Sequence, residues 1–260
     1  MKISIMVIGA DKTIKAEASA QNSVYLVYNR KYEAGDRICL CADTKGFVVA
    51  RLEDSMPETY GYLSGKYEMV VPYGEKRVSY SPKSFIGDVH LLTARVATDG
   101  EIQRYRNLAL NPFDCHENAG FFPHATANVE TRGESVFAAR NAIDGNTANA
   151  GHGEWPYESW GINRNPDAQM RIDFGRTVSL DKAVLTTRAD FPHDSYWTQA
   201  KLEFSDGSQE IIKLNRAFEP QVFNFSTRKV SWVVIKELIK ADDESPFPAL
   251  SQIELFGRED

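Results

Sequence analysis

Between Arg188 and Gln199 the chain reads RADFPHDSYWTQ. Arg188, Asp190, His193, Asp194 and Trp197 crowd into that stretch: a planar donor, two acceptors, an imidazole and an indole. A second cluster, GHGEWPYESW, brings His152, Glu154 and Trp155 together, with Trp160 closing it. Such groups suit a sugar, whose ring presents C–H faces to an indole and whose hydroxyls pair with Arg, Asp or His. Each residue also has an ordinary reading. Arg188 and Asp190 can brace their own loop as an ion pair, worth about 0–1 kcal/mol when exposed. Trp197 can lie in the core beneath the AKLEF strand that follows it. Trp155 and Trp160 can seal one end of a sheet sandwich.

The same set can be asked for catalysis. Glycoside hydrolysis needs two carboxyls roughly 5–10 Å apart, and Glu154, Asp190 and Asp194, with His193 beside them, offer acids and a base. No spacing in the sequence fixes such a distance. Ser195 belongs to no nucleophile elbow. HExxH, phosphate-loop and dinucleotide fingerprints are absent, since VIGADKT lacks the required glycine spacing. No organic cofactor is implied. Binding is therefore expected rather than turnover, with a glycan-processing enzyme as an alternative.

Two further sets carry metal-ligating residue types. Cys39 and Cys41 lie two apart on an expected strand, so they share a face; they read as a CxC zinc half-site or as two small buried hydrophobes. His116 and His124, with Asp114 and Glu117, match no common zinc spacing and read better as part of a packed connection.

The elements that must position these groups are strands. Short runs rich in β-branched and aromatic residues (SVYLVYNR, DRICLCAD, KYEMVVP, HLLTARVA, MRIDFG, KAVLTTRA, AKLEFSDG, SWVVIKEL, QIELFG) alternate with turns such as ATDGE and FSDGS. In RIDFG, Ile172 and Phe174 face one way and Arg171 and Asp173 the other. Helical periodicity is confined to SVFAARNAIDG, ending before Gly145, and to EIQRYRNLAL, which reads as another turn or two or as a final strand. The class is all-β, with two β-sandwich domains expected. Residues 108–134 lack a period but carry Phe113, Phe121 and Phe122, so a packed linker is assigned to 111–134, between an N-terminal domain over 1–110 and a second over 135–260.

With 260 residues, 42% hydrophobic and 25% charged, the chain can bury more than one core. A net charge of -6 without a Lys/Arg run gives no reason to bind nucleic acid or an anionic membrane. No stretch approaches the roughly 20 apolar residues of a membrane helix. The N-terminal ISIMVIG reads as a first strand rather than a leader, which places the chain in the cytoplasm as written, or outside the cell if a leader has been removed. Three cysteines cannot be the frame of a disulfide-held fold.

The order of pieces in the second half resembles a known family. ARNAIDGNTANAGHGEW, then AQMRIDFGRTVSLDKAVLTTRAD, WTQAKLEFSDGS and a closing LSQIELFG are similar to the discoidin, or coagulation-factor type C, domains within the galactose-binding-like jelly rolls. Many bacterial carbohydrate-binding modules belong there. The resemblance covers about 135–257. It implies a jelly roll that holds a carbohydrate on loops at one end, through His152, Glu154, Trp155, Arg188, Asp190, His193, Asp194 and Trp197. It also implies a structural calcium ion at the NAIDGN turn, held by Asp144, Asn146, the Asn141 carbonyl and Glu254, in keeping with a cation that takes about six to eight oxygens. A turn capped by Glu254 without metal is the other reading. Domains of this kind also present loops to proteins, so a protein-interaction module is the alternative function. The segment after the DGN turn is longer than usual, and the first half matches no motif.

Overall fold

The computed structural model describes residues 1–189 and 195–260. Asp190, His193 and Asp194 lie outside the described residues. The first half contains β1 (Lys2–Ile8), β2 (Ile14–Gln21), β3 (Ser23–Tyr28), β4 (Arg37–Ala42), β5 (Gly46–Arg51), β6 (Thr59–Leu63), β7 (Lys66–Val70) and β8 (His90–Val96). A short α1 (Asp99–Ile102) follows. β9 (Arg106–Asn107), β10 (Phe121–Phe122) and β11 (His124–Ala127) lie along the junction. The second half adds β12 (Trp160–Gly161), β13 (Met170–Thr187), β14 (Trp197–Phe204), β15 (Gln209–Lys213), β16 (Gln221–Lys240) and β17 (Ala249–Glu259).

The chain is all-β, built from antiparallel sheets. One sheet runs β2-β1-β4-β7 and a second β10-β6-β5-β8-β3. Both feed one core, because alternation puts one face of each strand inside. In β1, Ile3, Ile5 and Val7 are sealed; in β3, Val24, Leu26 and Tyr28 are buried while Tyr25 and Val27 face outward. The largest sheet runs β12-β17-β13-β16-β14-β15, with β11 beside β13 and β9 beside β17. Its strands enclose a second core that includes Ile172, Phe174, Leu202, Val233 and Ile253. The DGN segment is not an α-helix but 3-10 turns at Ser135–Phe137 and Ala139–Ile143. No helix among the described residues is long and apolar enough to cross a membrane.

Residues 108–127 belong to both cores. Phe113 and Phe121 pack into the first; Leu108, Ala109 and Ala125 pack into the second. β10 pairs with β6, and β11 with β13. Buried polar groups fix the path between them. Asn111 Nδ2 donates to the carbonyls of Phe121 and Pro123, and Asp114 Oδ2 accepts from the Ala125 N–H. Gly175, at φ +66°, meets the Phe122 ring so closely that an added Cβ would stand 2.4 Å from it. That contact explains the glycine at this bend.

The cysteine pair stays together, whereas the two histidines are drawn to different carboxylates. The Cys39 and Cys41 sulfurs are side by side at 3.4 Å as free thiols. His124 pairs with Asp114 at 2.8 Å and His116 with Glu130 at 2.7 Å. Neither set belongs to the one three-residue group of metal-ligating side chains found among the described residues.

Candidate ligand site

The DGN turn is built first. Gly145 takes φ +90°, a value that favours glycine. Asp144 Oδ1 accepts from the Asn146 N–H at 2.8 Å, and Asn146 Oδ1 accepts from the Ala148 N–H at 3.2 Å. From the last strand it is Gln252, not Glu254, that reaches this turn. Its Nε2 donates to the Asn141 carbonyl at 2.6 Å and to Asp144 Oδ1 at 2.7 Å, while its Oε1 accepts from the Gly145 N–H at 3.1 Å. Glu254, two residues on, feels Lys182 instead, and half-burial pushes its carboxyl up. The oxygens expected to converge on calcium thus converge on an amide donor. Arg140 adds a guanidinium 4.0 Å from Asp144 Oδ2. This set does not fit a calcium ion as it stands, because the Asn141 and Asp144 oxygens are already engaged and the last strand supplies no carboxylate.

Beyond the turn the chain reaches a cavity of about 190 Å³. Phe137, Ile162, Pro246 and Pro248 give it apolar walls; His152, Arg164 and Arg188 bring polar groups to it. Arg188 leaves the end of β13. Its backbone N–H donates to the Ala249 carbonyl at 3.0 Å, and the guanidinium of this buried residue reaches Ser159 Oγ at 3.4 Å. Asn163 and Arg164 both adopt left-handed backbone, at φ 49° and 60°, directly after β12. The Asn163 N–H is held by Thr131 Oγ1 at 2.9 Å. This bend lays the Arg164 guanidinium over the Phe247 ring, 4.6 Å from its centroid. Phe247 itself is 41% exposed. Together these form a small cup with an aromatic plate, two planar donors and an imidazole.

His152 and Arg188, distant in sequence, are brought to one cavity. The other aromatics expected there are elsewhere. Trp197 is fully buried against Trp160 in the second core, ring centroids 6.5 Å apart, so it offers no face to a guest. That placement corrects the ligand reading of Trp197 in favour of its core reading. Trp160 donates its indole N–H to the Val129 carbonyl. Trp155 is 41% exposed but faces another way. Its backbone N–H donates to the Val78 carbonyl, and it lines a cavity of about 360 Å³ between the two halves, with Tyr80, Asp144 and Glu158. There burial pushes the Asp144 carboxyl well up, Arg140 opposes this and neighbouring Glu158 adds to it. Glu154 is exposed beside Trp155 and does not line the His152 cavity.

No family model matches the chain, and no curated protein matches it. Solved structures do. A chitosan-binding module of a chitosanase/glucanase from Paenibacillus sp. IK-5 is 18% identical over 58% of this chain and 98% of its own, with a TM-score of 0.41. The family 32 CBM of NanJ from C. perfringens, solved with galactose, is 16% identical over 51% of this chain and 91% of its own, with a TM-score of 0.39. The lectin domain of lectinolysin, solved with Lewis B antigen, is 17% identical over 59% and 97%, with a TM-score of 0.43.

Phe247 and Arg164 were missed in the sequence. A signal for the first exists: SPFP holds a phenylalanine between two prolines in a loop, where it cannot join a strand ladder and has no helix to pack. Arg164, in INRNP, carries no comparable mark. Its role depends on a left-handed bend that only the fold reveals.

Proposed function

We propose that this chain is a non-catalytic carbohydrate-binding protein, and that the cavity bounded by His152, Arg164, Arg188 and Phe247 holds the sugar. One observation carries the reading: an exposed aromatic face and two guanidiniums meet an imidazole over apolar walls, at a cavity about the size of one sugar ring. The ring of Phe247 takes a C–H face, Arg188 and Arg164 donate to hydroxyls, and His152 donates or accepts according to its tautomer. Asp190, His193 and Asp194, which follow Arg188 in the sequence, remain proposed contacts. The proposal includes a jelly roll over 135–260, a partner sandwich over 1–110 and a packed linker over 111–134, which the two separate cores support. A shallow site of this size implies micromolar to millimolar affinity, about -4 to -8 kcal/mol.

Titration calorimetry against the best ligand from a glycan array tests it. Phe247→Ala and His152→Ala should each lose most of the heat, while Trp155→Ala should match the parent. Equal heats for the parent and Phe247→Ala refute the site.

A protein-interaction role is favoured by one observation. Tyr25, 70% exposed, and Val27, 44% exposed, stand on β3 at the edge of its sheet. Absence of any array hit, with a partner lost on Tyr25→Lys, supports that role instead.

A further inference from the structure

We propose that Glu53, Asp54 and His90 form a binding site for a first-row transition cation, with zinc as its fitting occupant. The site lies in the first half, away from the sugar cavity, and stands independently of the proposed function. One ligand atom from each of the three side chains falls within 4.8 Å of the others. Glu53 lies just past the end of β5 and His90 opens β8, so two paired neighbouring strands deliver them.

The surroundings make this more than a chance meeting of acids. His90 is 1% exposed, and neither of its ring nitrogens has a hydrogen-bond partner. The carbonyls of Gly87 and Arg30 approach the ring without closing a bond. Glu53 is also 1% exposed. Its Oε1 accepts from the Ser55 N–H and hydroxyl, at 3.2 and 3.0 Å, but its Oε2 has no partner. A buried polar atom left unpaired costs about 1–3 kcal/mol. Several in one place call for a common partner, and a cation supplies one.

Glu53 and Asp54 bring two carboxyls to the same spot. Two carboxyls this close repel when both are ionised, and a divalent charge between them removes the repulsion. The imidazole chooses the metal class, since calcium and magnesium prefer all-oxygen shells. Three protein ligands leave a fourth tetrahedral position for water, and exposed Asp54 marks the side open to solvent.

Equilibrium dialysis of the full chain against zinc, with calcium as control, tests the assignment at pH 7.5. The parent should hold one zinc per chain and no calcium. Asp54→Asn, at an exposed position, should fold normally yet bind at least about 10–100-fold more weakly. Glu53→Gln and His90→Gln should do the same where they fold. Because the Cys41 thiol is lowered to about 7 beside Cys39, Cys41→Ser is the counter-test and should retain zinc. Absence of zinc from the parent overturns the proposal. So does equal binding by Asp54→Asn and the parent, or zinc lost from Cys41→Ser but kept by Asp54→Asn.

Discussion

The side-chain amide of Gln252 bonds the DGN turn through both ends: two donated hydrogen bonds to Asn141 and Asp144 and one accepted from Gly145. Glutamate has nearly the same shape but no N–H. Gln252→Glu should leave the Asn141 carbonyl and Asp144 facing a third oxygen, at a cost of about 2 kcal/mol or more. Urea unfolding at neutral pH measures that loss. The same change supplies the carboxylate a hard cation needs, so millimolar calcium should raise the melting temperature of Gln252→Glu and leave the parent unmoved. A calcium-dependent shift in the parent would defeat the amide reading. At this scale the sequence is informative about types and poor about direction. His152 and Arg188 could be picked because few residue types bond a sugar, whereas Trp155 and Trp197 look alike on paper. Burial separates them, and burial depends on which face of β14 meets the second core. A bulge in the β13–β17 pairing likewise decides that Gln252 reaches the turn, and no local pattern announces it.

At the scale of elements, strands were legible because alternation is local, and the DG turns were legible because glycine marks them. The pairing of β10 with β6 and of β11 with β13 was not, since two short strands acquire meaning only from distant partners. What fixes that segment is a buried polar knot around Asp114, whose Oδ1 bonds Asn118 and His124. Burial pulls the His124 imidazole down, and the Asp114 carboxylate more than offsets it, so the folded value is raised above 6.5. A raised folded value means the fold binds the proton more tightly than the unfolded chain does. Its stabilisation is therefore complete below about pH 6.5 and is lost as pH rises through the folded value. His124→Gln should remove that dependence. Melting temperatures from pH 5.5 to 8.5 should fall more steeply for the parent than for the variant across the upper part of the range. Parallel curves would mean that the pair is not coupled to folding.

At the scale of the molecule, the halves are joined by more than the chain that runs between them. Arg176, on β13, donates through Nε and Nη2 to Glu259, at 2.9 and 2.5 Å, and its guanidinium stands over Phe47 and Tyr62 of the first half. Tyr60 donates its hydroxyl to the same glutamate at 3.1 Å. Both charged side chains are nearly buried, 11% and 7% exposed. The pair itself need not add much stability over an apolar pair, but breaking it strands a charge. Glu259→Ala leaves the Arg176 guanidinium at the interface without its anion, which costs about 3–5 kcal/mol when such a group is fully enclosed. The loss falls on contacts between the halves rather than on either core, so cooperativity should suffer along with stability. Calorimetry should show one transition for the parent and a lower, split transition for Glu259→Ala. Arg176→Met together with Glu259→Leu should restore the single peak, because an apolar pair removes the stranded charge and keeps the packing. If Glu259→Ala melts as one sharp transition near the parent temperature, the two cores are coupled through residues 108–127 alone.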